Sequence, residues 1–215
     1  SKNFTPAKMI LIVCEGEKTE PNYFLSIRNK LPQRERNQQI NIKVIGLGRN
    51  TQSLVDEAIE IRKNLAKDKT KIIDATWIVF DKDSFHDDAF DNAIASAKSK
   101  NFNVAWSNEA FELWYILHFE FLNTATTRTE YKHRIEKHLS SRKSSSSFEY
   151  TKERTDMYEL LQVYGDESTA IKNAKRLKEM HTKSGVPPSK QNPATDVYLL
   201  VQELNTEISN VLMRQ

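Results

Sequence analysis

The sequence predicts an α/β protein, a parallel sheet flanked by helices and followed by a mainly helical C-terminal part. Short β-branched apolar runs alternate with amphipathic helical patterns over the first half of the chain, and Gly, Pro and Asn break the pattern between them. From Thr124 onward only helical periodicity remains. The 215 residues, 38% hydrophobic and 28% charged with a mean hydropathy of −0.64, suit a chain that buries its own core and exclude disorder of the whole.

Lys8 to Cys14 (KMILIVC) lacks a helical period and reads as a buried parallel strand ending at Glu15-Gly16. Thr19 opens a helix with Pro21 just inside its start, and Tyr23, Phe24, Ile27 and Leu31 follow at helical spacing until Pro32. A second unit has Ile40 to Ile45 as strand, Gly46 to Asn50 as turn, and an amphipathic helix carrying Leu54, Val55, Ala58, Ile61 and Leu65. A third has Ile72 to Phe80 as strand, Asp81 to Asp87 as loop and Asp88 to Lys100 as helix, and Phe102 to Trp106 makes a fourth strand. Right-handed crossovers are expected between such strands, with sites beyond their carboxyl ends.

Ser107-Asn108 reads as an N-cap pair before Glu109 to Leu122 (EAFELWYILHFEFL), a helix apolar on nearly every face and therefore buried. Further helices are expected near 129 to 139, 153 to 162, 168 to 182 and 194 to 213, with the Ser-rich stretch Ser140 to Ser147 as a loop. The division expected is a core over 1–122 and a helical extension over 123–215 packed on it.

One cysteine, Cys14, excludes an internal disulfide framework and multi-cysteine metal sites. With no run of about 18 apolar residues, neither a membrane span nor a signal peptide is expected, and the reading is a soluble, cytoplasmic protein. The net charge of +3 splits as 17 basic against 17 acidic residues over 1–120 and 15 against 12 over 121–215, too small an excess to announce a nucleic-acid binder.

Glu15 follows the first strand, and Asp81 and Asp83 follow the third, so a parallel sheet brings all three to one rim. An Asp-x-Asp spacing lets two carboxylates approach one hard cation, and Mg²⁺ takes one or two carboxylates plus phosphate and water. The plain alternative is a pair of turn residues. Glu112 lies in an apolar helix, where a buried acid needs a partner such as Lys152 or a place in the acidic rim.

Other motifs fail on spacing. Gly16-Glu17-Lys18-Thr19 lacks the P-loop pattern, and Gly46-Leu47-Gly48 has Thr51 where a dinucleotide fingerprint needs its third glycine. Cys14 reads as a small buried residue rather than a nucleophile, and His133 and His138 fall on different helix faces. The segment 168–183 carries Lys172, Lys175, Arg176 and Lys183 opposite Ile171, Ala174 and Leu177, as a solvated face or a phosphate-backbone track.

The string Glu15-Gly16-Glu17-Lys18-Thr19-Glu20-Pro21-Asn22-Tyr23-Phe24 resembles the E-G-x-x-T-E-x-x-Y-F opening of the RloB-like family, associated with restriction-modification and phage-defence loci. The resemblance continues through Asp81-Lys82-Asp83, Ser107-Asn108, Phe111-Glu112-Leu113-Trp114, His118-Phe119, Tyr150 with Lys152, and Asn192-Pro193-Ala194-Thr195. One departure is Glu109, where the family commonly has proline. The resemblance implies a Toprim-like (Rossmann-like) fold, Mg²⁺- or Mn²⁺-dependent phosphodiester chemistry at Glu15, Asp81 and Asp83, and an ABC-type ATPase partner. Lys18, Lys152 and His86 are the candidates to meet phosphate charge, with Glu112 in the same site. The function expected is a nuclease acting on DNA or RNA; the alternative is a non-catalytic recognition or regulatory subunit of an ATPase-containing defence complex. A homo-oligomer is left open.

Overall fold

The computed structural model describes residues 7–38, 40–48, 54–142 and 147–214. Its elements run β1 (Ala7–Cys14), α1 (Thr19–Arg28), α2 (Gln33–Gln38), β2 (Ile40–Gly46), α3 (Leu54–Leu65), β3 (Lys71–Asp81), α4 (Asp87–Ser99), β4 (Asn103–Asn108), α5 (Glu112–Leu117), α6 (Arg128–Arg142), α7 (Met157–Tyr164), α8 (Glu167–Ser184), β5 (Ala194–Thr195) and α9 (Val197–Leu212). The strands form one five-stranded sheet in the order β2-β1-β3-β4-β5. β1, β2, β3 and β4 are parallel, and only the two-residue β5 runs antiparallel, against Ser107 and Asn108. Among the described residues no helix is long and apolar enough to cross a membrane.

The period of two along each strand splits the core between the two faces of the sheet. Ile10, Ile12 and Cys14 of β1, with Trp77 and Val79 of β3, join a large cluster with α1 and residues from all of α5 to α9. Leu11, Val13, Ile78, Phe80 and Trp106 join a smaller cluster against α3 and α4. The expected α/β fold with helices on both faces is therefore what forms, and the C-terminal helices share one core with α1.

Several expectations are corrected. Ser107 and Asn108 do not cap a helix; they are the last residues of β4. The buried helix expected over Glu109 to Leu122 is helical only over Glu112–Leu117. An all-round apolar pattern reports burial, which an irregular buried segment satisfies as well as a helix does, provided its carbonyls find donors. They do: Asn173 Nδ2 donates to the carbonyls of Leu117 (3.0 Å) and Glu120 (3.2 Å), and the Asp166 N–H to that of His118 (3.1 Å). The helix expected from 194 begins at Val197, because Ala194 and Thr195 pair with β4 instead. Helix α2 and strand β5 were not expected at all. Of the Ser-rich stretch expected as a loop, Ser140, Ser141 and Arg142 belong instead to the last turn of α6, and 143–146 lie outside the described residues, as does Thr51.

Candidate active site

The carboxyl ends of β1 and β3 meet at one rim. The Glu15 N–H donates to the Val79 carbonyl at 2.9 Å, and the Asp81 N–H to Glu15 Oε2 at 3.4 Å, so the carboxylate of one strand end lies on the backbone of the next. The β2–α3 loop pins the same place, with Leu47 N–H on the Cys14 carbonyl (3.0 Å) and Gly48 N–H on that of Glu15 (2.7 Å). Two glycines permit this crossing. A Cβ on Gly46 would stand 2.6 Å from the Gly16 carbonyl oxygen, and one on Gly16 would stand 2.3 Å from Glu20 Oε2.

The rim encloses a cavity of about 430 Å³ lined by Glu15, Glu20, Asp81, Glu112, Arg128, Lys18 and Lys152, among others. Four of the carboxylates lining it are nearly closed to solvent, at 8% exposure for Glu15, 5% for Glu20, 5% for Asp81 and 3% for Glu112, whereas Glu17 and Glu153 stand at its open side. Each comes from a separate element or its edge: the end of β1, the first turn of α1, the end of β3 and the first turn of α5. Glu112 thus joins the rim rather than pairing off elsewhere, and it accepts a hydrogen bond from the Tyr150 hydroxyl at 3.1 Å.

Arg128, the first residue of α6, supplies the positive charge between the aspartates. Its Nη2 lies 3.1 Å from Asp81 Oδ2 and its Nη1 2.7 Å from Asp83 Oδ2. Asp83 does not line the cavity itself; it reaches the site through this guanidinium. Lys18 and Lys152 are exposed at the cavity wall, and the Lys152 carbonyl accepts from Thr19 Oγ1 (3.3 Å). His86 is exposed at the N-cap of α4 and Glu109 stands outside the cavity, so neither joins the acidic group.

Crowding of like charge out of water sets the electrostatics. Burial, then Glu20 and Glu112, drive the Asp81 carboxyl well above its usual range against the pull of Arg128. Burial, with Glu112 and Glu15, raises Glu20 to about 7 although its own backbone N–H and Arg128 oppose this. Arg128 is desolvated, yet Glu112, Asp81, Asp83 and Glu20 together hold its pKa above normal. Cys14 sits directly beneath, fully buried, with its thiol pushed well up by that burial, which fits a packing residue and not a nucleophile.

Among the described residues no three His, Cys, Asp or Glu side chains stand together as a ready-made metal cluster. The donor set nevertheless suits a hard cation. It is all oxygen, Arg128 is the cation held among its acids with Lys18 and Lys152 at the wall, and Asp81 Oδ1 is buried with no hydrogen-bond partner.

Glu20 and Arg128 are charged site residues that sequence reasoning missed, as are the exposed Glu17 and Glu153 at the wall. Glu20 lay within the family string but follows no strand end. Arg128 opens a helix after a stretch without periodicity, and only the fold brings it to the rim. On α8, Lys172, Lys175 and Arg176 are exposed, with the Arg176 guanidinium 4.0 Å over the Phe121 ring, and they do not line the cavity.

No curated protein and no solved structure matches the chain. The family model described as RloB-like protein matches residues 10–204, a span that holds the whole rim from Glu15 to Lys152. With most of its length matched in this way, the chain belongs to the RloB-like family.

Proposed function

We propose that the protein is a metal-dependent phosphodiesterase, a Toprim-type nuclease acting on DNA or RNA within a bacterial defence system alongside an ABC-type ATPase. The observation that carries this reading is the bare, buried Asp81 Oδ1 in a cavity whose wall holds four nearly closed carboxylates. Such an arrangement is costly unless protons or a cation compensate it.

Glu15, Asp81 and Asp83 are the residues that would hold Mg²⁺ or Mn²⁺, with Glu20 and Glu112 beside them. When bound, the cation supplies Lewis-acid stabilisation of phosphoryl oxygens. Glu15 serves as a ligand or takes the proton of the attacking water. Lys18 and Lys152 meet the charge of the phosphate from the open side of the cavity. Because Arg128 already neutralises Asp81 and Asp83, a cation and this guanidinium compete for the same carboxylates.

That internal neutralisation also favours a second reading, a regulatory subunit whose acidic rim is satisfied by its own arginine. Incubating the protein, alone and with its cognate ATPase, with single-stranded DNA, duplex DNA and tRNA in Mg²⁺ or Mn²⁺ separates the two. Cleavage lost by roughly 10²-fold or more in Asp81→Asn and in Glu15→Gln supports the nuclease. No metal-dependent cleavage under any of these conditions leaves the regulatory subunit.

A further inference from the structure

A second charged cleft lies away from the rim, where the end of α1, helix α2 and the edge strand β2 meet. It has a volume of about 500 Å³, and its polar lining is Arg28, Gln33, Arg36, Asn41 and Lys43. Glu35, the one carboxylate of α2, is buried outside the lining, and among the described residues no carboxylate lines the cleft.

The two arginines are held by neutral oxygens instead. Arg36 Nε donates to the Leu31 carbonyl at 2.7 Å and its Nη2 to that of Asn29 at 3.3 Å, while Arg28 Nη2 reaches Asn29 Oδ1 at 3.4 Å. Arg28 Nε is buried with no partner. Burial and the Arg36 charge both lower the pKa of Arg28, as expected of guanidiniums crowded together without an anion. Lys43 is exposed on β2 beside them.

We propose that this cleft is an anion site that grips a phosphate of a nucleic-acid backbone at a distance from the acidic cavity. Planar guanidiniums match phosphate oxygens in pairs, and Asn41 and Gln33 add neutral donors. Among the described residues no aromatic side chain lines the cleft, so it offers a base nothing to stack on and grips the backbone without reading sequence. Helix α1 joins the two places: it starts at Thr19 beside the acidic cavity and ends at Arg28 in the cleft. At a rise of about 1.5 Å per residue this is about 14 Å, or roughly four steps of about 3.4 Å along a duplex strand. The inference rests on the proposed function only for the class of substrate.

The test is equilibrium binding in EDTA, where no cleavage occurs, of fluorescent single-stranded and duplex DNA and RNA oligonucleotides across a salt series. The 215-residue chain is compared with Lys43→Gln and with the Arg28→Gln, Lys43→Gln pair. The Lys43 side chain is exposed and its place in the sheet is held by the backbone pairing with Leu11, so the single variant keeps the test sound if the pair unfolds. Each lost phosphate contact should reduce the slope of log K against log salt by about 0.9 on duplex and about 0.7 on single strands, with weaker binding of every sequence alike. Lys43→Arg should restore the slope. Unchanged slopes in folded variants, or no binding of any of these probes, overturns the proposal. Altered slopes without metal-dependent cleavage would instead sink the nuclease reading and leave the cleft standing.

Discussion

At the scale of single residues, Arg128 is the counter-ion on which the rim depends. Arg128→Gln leaves Asp81 and Asp83 facing Glu20 and Glu112 with no guanidinium between them. Breaking a fully buried pair costs about 3–5 kcal/mol; with Arg128 side-chain exposure at 37%, about 1–3 kcal/mol is expected. Chemical denaturation in EDTA measures it, and millimolar Mg²⁺ should then raise the melting temperature of the variant more than that of the wild type. Glu20 gives a pH signature. Its folded pKa of about 7 lies above the unfolded value near 4.5, so the folded state binds the proton more tightly, and Glu20 subtracts stability as pH rises through that window. His118 acts with the opposite sign: burial lowers it to about 4, so the folded state loses stability as pH falls from about 6.5 towards 4. The difference between wild type and Glu20→Gln in EDTA isolates the first effect. The variant should gain in melting temperature above pH 7 relative to its standing at pH 4.5, and a constant offset would show that folding leaves the Glu20 pKa unshifted. Glu15, Asp81 and Asp83 were legible because strand ends announce themselves in sequence. Glu20 and Arg128 were not, since helix first turns reach the rim only through tertiary packing.

At the scale of elements, the alternation of strands and helices was legible up to β4 except for the polar α2, because each strand is a short apolar run with a clear break. It failed at α5, whose neighbours are apolar for a different reason. His118, Ala110 and Phe111 are buried without being helical, and the chain turns there because Asn173 of α8, 56 residues beyond Leu117, supplies the missing donor. No local pattern encodes so distant a partner. Replacing Asn173 with Leu leaves the carbonyls of Leu117 and Glu120 without that donor, at a cost of about 1–3 kcal/mol. A lower urea midpoint at an unchanged m-value is the expected result, and an unchanged midpoint would mean that water replaces the amide. The ends of α8 show the contrary case of a boundary written locally. Asp166 accepts from the Thr169 N–H at 3.0 Å, and Gly185 closes the helix at φ 66°.

At the scale of the whole molecule, one face of the sheet is covered by helices drawn from both ends of the chain. Tyr23 of α1 touches Phe24, Phe111, Tyr115 and Tyr158 edge-on or tilted, with ring centroids 5.4 to 5.7 Å apart, and its hydroxyl accepts from Trp114 Nε1 at 2.8 Å. A chain ending at residue 122 would lose Tyr158 and the rest of α6 to α9 from this cluster, and should show no cooperative melting, whereas the full chain should melt in one transition. Strand β3 carries a consequence of another kind. From Thr76 to Asp81 every residue is buried, but from Lys71 to Ala75 none is, and Ile72 is 56% exposed. In deuterated solvent the amides of Lys71 to Ala75 should therefore exchange early through local fraying, and those approaching Asp81 only through openings near the global limit. The strand is thus expected to open at the end remote from Asp81, leaving the carboxylates in register while its amino end frays.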